Sequence, residues 1–298
     1  MAKQKYLLPV LALITASVLW GFATSLIKIG LESIPVPIFI ATRFFLASML
    51  LLPVALRVWR PMKTSHFLLM VLAAVLDITL SVAAANYGLT MTTASNTGII
   101  FLLMPIVMLV LSIALLKEKL RLRSLVGIFV ALVGGLIIIG SPWNGGDATA
   151  LAGNLLIVLA VFLNALSFVI IKPLTKSMHH YQIAFMNYFV GILPVMIYAA
   201  TQLDTWHVSE TTTKSWIALG IVILISVFSN PLFYYGLKSK AVQNVGVYQY
   251  IDPLVTVIAA WFLLGERPAS LFYVGGVLII AGVYIVEKRP KLQKRVSA

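Results

Sequence analysis

Arg43, Asp77 and Asp252 stand deep inside long apolar runs of the sequence. A lone charge in lipid costs about 3 kcal/mol at the least, so each should face a cavity or a partner rather than hydrocarbon. A carboxylate so placed can hold an amine or exchange a proton. Asp252 is the best single candidate for either task; the plainer reading is that it satisfies backbone groups freed by Pro253. For Arg43 a structural ion pair, with Asp77 as the available partner, is preferred to contact with a small molecule. Trp20 is set apart by depth, because Trp59, Trp143, Trp206, Trp216 and Trp261 fall near expected interfaces, where amphipathic rings belong anyway. With Tyr234 and Tyr248 it could form a wall that stacks a planar or cationic molecule, although each ring alone would serve as core or lipid-facing packing. Asn164 and Asn230 are the amides best placed to bind. Asn86, Asn96, Asn187, Asn244 and Gln249 are read mainly as glue between helices, worth about 1 kcal/mol each.

Other chemistries lack their residues. There is no cysteine, which removes disulfides, thiolate metal sites and a cysteine nucleophile. His66, His179, His180 and His207 are scattered, and adjacent histidines are not a ligand spacing that a helix supports, so no metal is assigned. Neither a phosphate-cradling Gly-rich loop ending in Lys-Ser/Thr nor a serine nucleophile elbow is present. No catalytic residue and no cofactor is expected.

These side chains must be carried by membrane helices. The 298 residues are 61% hydrophobic and 10% charged, more apolar surface than a single globular core of that size hides. The apolar runs are long and unbroken, which argues for helices of roughly 20 residues rather than barrel strands of about 10. Gly, Pro and charge clusters divide the chain into ten stretches: 6–29, 36–58, 66–87, 94–116, 124–140, 152–171, 182–200, 215–237, 242–264 and 271–286. The first follows Lys3 and Lys5 and could pass for a signal peptide, but its length marks it as a retained span. The net charge of +13 would suggest nucleic acid in a soluble protein. Here Arg57, Arg60 and Lys63, then Lys117, Lys119, Arg121 and Arg123, then Lys172 and Lys176, then Lys238 and Lys240 occupy alternate loops, and the tail adds Lys288 to Arg295. That alternation sets orientation, with both ends of the chain in the cytoplasm, and implies no nucleic acid.

The chain also repeats itself. Asn244 follows Asn96 by 148 residues, as Pro253 follows Pro105, Glu266 follows Glu118, Gly275 follows Gly127 and Gly282 follows Gly134. Lys172 follows Lys28, and Asn164 follows Trp20, by 144. Five spans per copy is an odd number, so the second copy must enter the membrane from the opposite side. We expect an all-α membrane protein of ten transmembrane helices in two inverted-topology five-helix repeats, residues 1–147 and 148–298. Pro105 and Pro253 should bend the fourth and ninth spans, as hinges or as static kinks. Gly127 with Gly134, and Gly275 with Gly282, should let backbones approach inside one molecule, with dimerisation the second reading. Glu118 and Glu266 are expected to cap the fifth and tenth helices.

Trp20-Gly21-Phe22-Ala23-Thr24, Arg43-Phe44, Asn96-Thr97-Gly98 through Met104-Pro105 to Lys117-Glu118-Lys119, and Asp252-Pro253 to Leu264-Gly265-Glu266-Arg267 resemble the EamA family of the drug/metabolite transporter superfamily. The resemblance covers nearly the whole chain. It implies a central cavity lined mainly by the first, third, fourth, sixth, eighth and ninth spans, and export of amino acids or other small metabolites across a bacterial inner membrane. One departure is Lys117, where the family often has a small or apolar residue, as Gly265 is in the second copy.

The expected function is therefore a secondary transporter that exports a small amino-acid-like or aromatic metabolite by alternating access. Its candidate binding residues are Trp20, Asn164, Asn230, Tyr234, Tyr248 and Asp252; Arg43, Asp77 and Asp252 are the charge or coupling candidates, and Pro105 and Pro253 the hinges. The expected partners are a small-molecule substrate and membrane lipid, with a monomer expected and a dimer as the alternative. An intramembrane enzyme would need more paired acids or histidines at one depth, and a non-transporting scaffold would want a soluble output domain.

Overall fold

The computed structural model describes residues 2–92, 94–138, 148–264 and 271–287, and among them no strand occurs. The helices are α1 (Ala2–Gly30), α2 (Val36–Arg57), α3 (Thr64–Ala74), which continues through a π-helix (Val75–Val82) into α4 (Ala83–Met91), α5 (Ala94–Phe101) and α6 (Met104–Leu116). There follow α7 (Leu122–Ile138), α8 (Ala148–Leu174), α9 (His180–Ala200), α10 (Thr213–Ser239), α11 (Val242–Gly246), a 3-10 turn (Val247–Tyr250), α12 (Ile251–Leu264) and α13 (Leu271–Glu287). Among the described residues, seven helical stretches are long and apolar enough to cross a membrane, and Met104–Leu116, Leu122–Gly134 and Val274–Val286 are shorter apolar helices. Large apolar side chains such as Phe129, Ile197, Phe262 and Val277 point outward. That is the surface of a protein dissolved in lipid, and the chain is a membrane protein.

Pro105 and Pro253 do more than bend their helices. α5 stops at Phe101 and α6 starts at Met104, so Pro105 sits in the first turn of a new helix. Pro253 likewise falls in the first turn of α12, just after the 3-10 turn at Val247–Tyr250. Proline is tolerated there because the first-turn N–H groups have no intrahelical acceptor in any case. The sequence reading also missed the π-helix in the third stretch. Its widened turns are held by neighbours: the Thr79 hydroxyl donates to the Gly191 carbonyl at 2.5 Å and the Ser81 hydroxyl to the Ala160 carbonyl at 2.8 Å.

α1 packs on α10 and α12, while α8 packs on the third stretch and on α6. α2 packs on α9 and α10, and α7 on α13. Glycine permits the last pairing. A Cβ on Gly127 would lie 2.7 Å from the Gly282 carbonyl oxygen, and one on Gly134 2.6 Å from that of Gly275. The four glycines thus face each other within one molecule.

The bundle has two tied ends. At one, Ser215 donates to the Ile29 carbonyl at 2.9 Å and Thr92 to Asn154 Oδ1 at 2.8 Å. At the other, the Gln182 amide and the Arg60 backbone exchange two hydrogen bonds, and Gln243 is fixed by the Lys119 carbonyl and the Arg121 N–H. Glu118 is at this second end. It accepts from Val242 N at 3.0 Å and Gln243 N at 3.5 Å, so it caps α11 rather than the adjacent α7. The capping reading was right in kind but wrong in helix, because the turn after α6 carries Glu118 across to α11.

That turn begins at Lys117, whose φ of 53° is left-handed. A side chain there costs about 1–2 kcal/mol, and the repeat places Gly265 at the matching position. Gly265, Glu266 and Arg267 lie outside the described residues, as do Trp143, Asp147, the junction between residues 147 and 148, the end of the fifth expected stretch and the tail from Lys288.

Candidate functional site

A cavity of about 160 Å³ lies inside the bundle. For scale, an apolar cavity of about 150 Å³ takes up benzene, so there is room for a solute of ring size. α1 lines it with Trp20, Thr24 and Ile27, and the third stretch with Asp77, Ser81 and Asn86. Asn164 and Phe168 come from α8, Asn230 from α10, and Gln249 and Asp252 from the two sides of the break before α12. α2 and α9 also contribute, through Arg43, Phe44 and Tyr188. Those two helices were not among the expected cavity walls.

The two carboxylates are held differently. Asp77 is 3% exposed, and its two oxygens accept from Asn164 Nδ2 and Asn187 Nδ2, each at 2.6 Å. Asn187 also donates to the Tyr234 hydroxyl at 2.8 Å, and Asn230 bonds that same hydroxyl. Gly191 lets α9 reach this level, because a Cβ there would sit 2.5 Å from the Ala74 carbonyl oxygen. Asp252 is half-buried and accepts one hydrogen bond from the described residues, from Thr256 Oγ1 to Oδ1 at 3.0 Å. Its helix lies against α1 at Gly21, where a Cβ would meet the Asp252 carbonyl oxygen at 2.7 Å.

Arg43 does not form the expected ion pair with Asp77 among the described residues. Its Nε donates to Ser226 Oγ at 2.8 Å, and its guanidinium carbon lies 4.5 Å from the centre of the Phe44 ring. Ser226 is itself fixed, since its hydroxyl donates to the Val222 carbonyl and its own carbonyl accepts from Tyr188 OH. The seryl anchor on α10 holds the guanidinium on the cavity wall, where its charge and that of Asp77 act on each other at a distance. A planar cation carrying further N–H donors can there receive a carboxylate.

Aromatic rings close one side. Trp20 stacks on Phe168 with centroids 6.3 Å apart and tilts against Phe233 at 5.0 Å, and Phe168 meets Phe233 at 4.4 Å. Tyr234 stands behind this wall through its bond with Asn187. Tyr248 is buried away from the cavity wall, with Lys240 Nζ 5.9 Å from its ring centre. Of the expected binding residues, then, Trp20, Asn164, Asn230 and Asp252 meet at one cavity, Tyr234 supports it, and Tyr248 does not reach it. Pro105 packs against Gly246 at the α6–α11 contact, with no direct place on the wall.

Sequence reasoning read Gln249 as glue between helices, but its side chain faces the cavity and makes no hydrogen bond among the described residues. It passed over Phe168, Tyr188 and Ser226. Thr256 had a legible signal, since it follows Asp252 by four residues on one helix face. Phe168 had none beyond an apolar run.

Set beside known proteins, residues 7–140 and 151–287 each match the profile of the EamA-like transporter family. The uncharacterized transporter YetK of Bacillus subtilis is 26% identical over 94% of this chain and 85% of its own. A probable terminal-alkyne amino-acid exporter of Streptantibioticus cattleyicolor is 24% identical over 95% of each chain. A probable amino-acid metabolite efflux pump of Salmonella typhimurium is 24% identical over 90% of this chain and 91% of its own. A crystal structure 16% identical in sequence has the same fold, with a TM-score of 0.71 over 93% of this chain and 95% of its own.

Proposed function

The chain belongs to the EamA-like transporter family, and we propose that it is a secondary carrier exporting a small amino-acid-like or aromatic metabolite by alternating access. The observation that carries this reading is the pairing of opposite charges on one small cavity: Arg43 from α2 and Asp252 from α12, with Trp20 and Phe168 beside them. A zwitterion would set its carboxylate against Arg43 and its ammonium against Asp252, and a flat side chain would lie on the rings. Asn230 and Gln249 would supply neutral hydrogen bonds. The names of the two exporter relatives support the same solute class.

The carrier mechanism requires ten crossings in two inverted copies. Among the described residues, seven long apolar helices and three shorter ones are in keeping with that number. The helix pairings support the inversion, because exchanging the halves turns the α1–α10 pair into that of α8 with the third stretch. Gly127 opposes Gly282 while Gly134 opposes Gly275, so α7 and α13 run antiparallel and each glycine meets the repeat partner of the other. Two similar packings can then exchange around one site. The helix breaks before Pro105 and Pro253 are the hinges of that exchange. The proposed setting is a bacterial inner membrane, with both termini cytoplasmic.

Counterflow of a panel of amino acids into liposomes, with and without a pH gradient, tests the reading. Asp252→Asn and Trp20→Ala proteins that insert normally should lose transport of whichever solute the unaltered protein moves. Full flux from both variants would remove this site.

A further inference from the structure

The break before α12 brings two polar side chains to the cavity, Gln249 from the 3-10 turn and Asp252 from the first turn of the helix. Residues three apart share a face in either geometry, so the amide and the carboxylate are neighbours on one wall. Gln249 is 7% exposed, and its side chain makes no hydrogen bond among the described residues. An amide at that depth costs free energy until something supplies it with a partner. Asp252 is better served, because Thr256 donates to its Oδ1.

The first half of the chain carries no such pair. Phe101 and Met104 precede Gln249 and Asp252 by 148 residues and line the same cavity, with a ring and a thioether in place of the amide and the acid. Of these four matched positions, only the two at the α12 break offer side-chain oxygens to a solute. A primary ammonium carries three N–H donors. The Asp252 carboxylate takes those nearest to it, and Gln249 Oε1 is the neutral acceptor left for another.

We propose that Gln249 is a specificity-determining residue: with Asp252 it reads the N–H donors of a primary ammonium, so that the cavity favours primary amines over the same molecules methylated on nitrogen. The proposal rests on the carrier reading of the site and goes beyond it by naming the class of amine. A dimethylated ammonium keeps its positive charge but has a single N–H, which goes to the charged carboxylate rather than to a neutral carbonyl. Its methyl groups then lie against Gln249 and leave the amide unpaired. That is the situation in which a polar site rejects an analogue most strongly.

To test this, the full chain in detergent is titrated with a panel of amino acids and with the N,N-dimethyl form of each one that binds, and the apparent Kd is read from thermal stabilisation. The primary form should bind on the order of 10- to 100-fold more tightly, the span expected for one hydrogen bond to a charged group. Gln249→Met keeps the length and approximate volume of the side chain and removes both polar atoms. It should weaken the primary form by a similar factor and shift the dimethyl form by less than about threefold, so that the preference disappears. Bulk alone gives a different result: if the added methyl groups merely fail to fit, the preference survives in Gln249→Met, and the proposal is overturned. Equal binding of the two forms by the unaltered protein, or stabilisation by no primary amine, overturns it as well, and neither measurement needs a variant that folds. Counterflow separates this from the carrier reading. A preference in binding with no counterflow of any solute would sink the carrier and keep the role of Gln249, whereas counterflow of both forms with equal KM would sink that role alone.

Discussion

Asp77 and Asp252 line the same cavity from opposite halves of the chain, yet one has both oxygens bonded to other helices and the other accepts a single hydrogen bond among the described residues. Both oxygens of Asp77 are taken up by amides of α8 and α9, so its charge joins three parts of the bundle. Asp252 receives a single hydroxyl from its own helix and presents the rest of its carboxylate to the cavity. Depth in an apolar run marks both as costly, and only the count of partners separates the structural acid from the available one.

The strongest way to break this contrast is to remove Asp77. Asp77→Leu takes an acceptor from the buried Asn187 amide, at about 1–3 kcal/mol, and from the half-buried Asn164 amide, which the cavity can partly compensate. We expect a large loss of monodisperse protein after heating in detergent, and unchanged thermal stability would show that Asp77 holds nothing together. Asp252→Asn should behave in the opposite way. Stability should move by less than about 1 kcal/mol, while the loss of a charged hydrogen bond to the solute, about 1.5–3 kcal/mol, should raise KM roughly 10- to 100-fold. A matched fall in stability for both variants would erase the distinction.

The glycines behind each acid sharpen it. An added methyl at Gly191 would press on the Ala74 carbonyl beside the π-helix, and one at Gly21 on the Asp252 carbonyl and the Val255 side chain. Overpacking of this kind costs typically about 1–3 kcal/mol. Gly191→Ala should therefore appear mainly in thermal stability, and Gly21→Ala mainly in transport, because it moves Asp252 relative to α1. Equal effects in both assays would mean that the two contacts serve the same purpose.

Much of this arrangement was legible beforehand. Run length gave the apolar helices in outline, and the offset of 148 residues gave the glycines of α7 and α13 and the paired sites at Pro105 and Pro253, expected as bends and found as first turns of new helices. Depth alone picked out Trp20, Asp77 and Asp252. What escaped was lateral: the choice of partner across helices depends on crossing angle and rotation, which periodicity does not encode. Hence Arg43 went to Ser226 instead of Asp77, Glu118 to α11 instead of α7, and Tyr248 away from the cavity. The π-helix at Val75–Val82 left no mark either, since its stabilising hydroxyl bonds end on backbone carbonyls of other helices.

The smallest expected effect concerns Thr256, which holds the available acid in place. Its hydroxyl lies 3.0 Å from Asp252 Oδ1 and 3.3 Å from the Gly21 carbonyl oxygen, but one hydroxyl has one proton to give. With the cavity free of cation the proton belongs on the carboxylate. When an ammonium occupies Asp252, the hydroxyl can turn to Gly21 and tie α12 to α1. Thr256→Val keeps the branching and removes the proton, so it should cost about 1 kcal/mol, a few-fold rise in KM, with thermal stability unchanged in the absence of solute. The informative comparison is stabilisation by solute: it should be smaller in Thr256→Val than in the unaltered protein at equal fractional occupancy. Equal stabilisation would leave Thr256 as a simple orienting group for Asp252, and a rise in KM as large as that of Asp252→Asn would mean that Thr256 itself touches the solute.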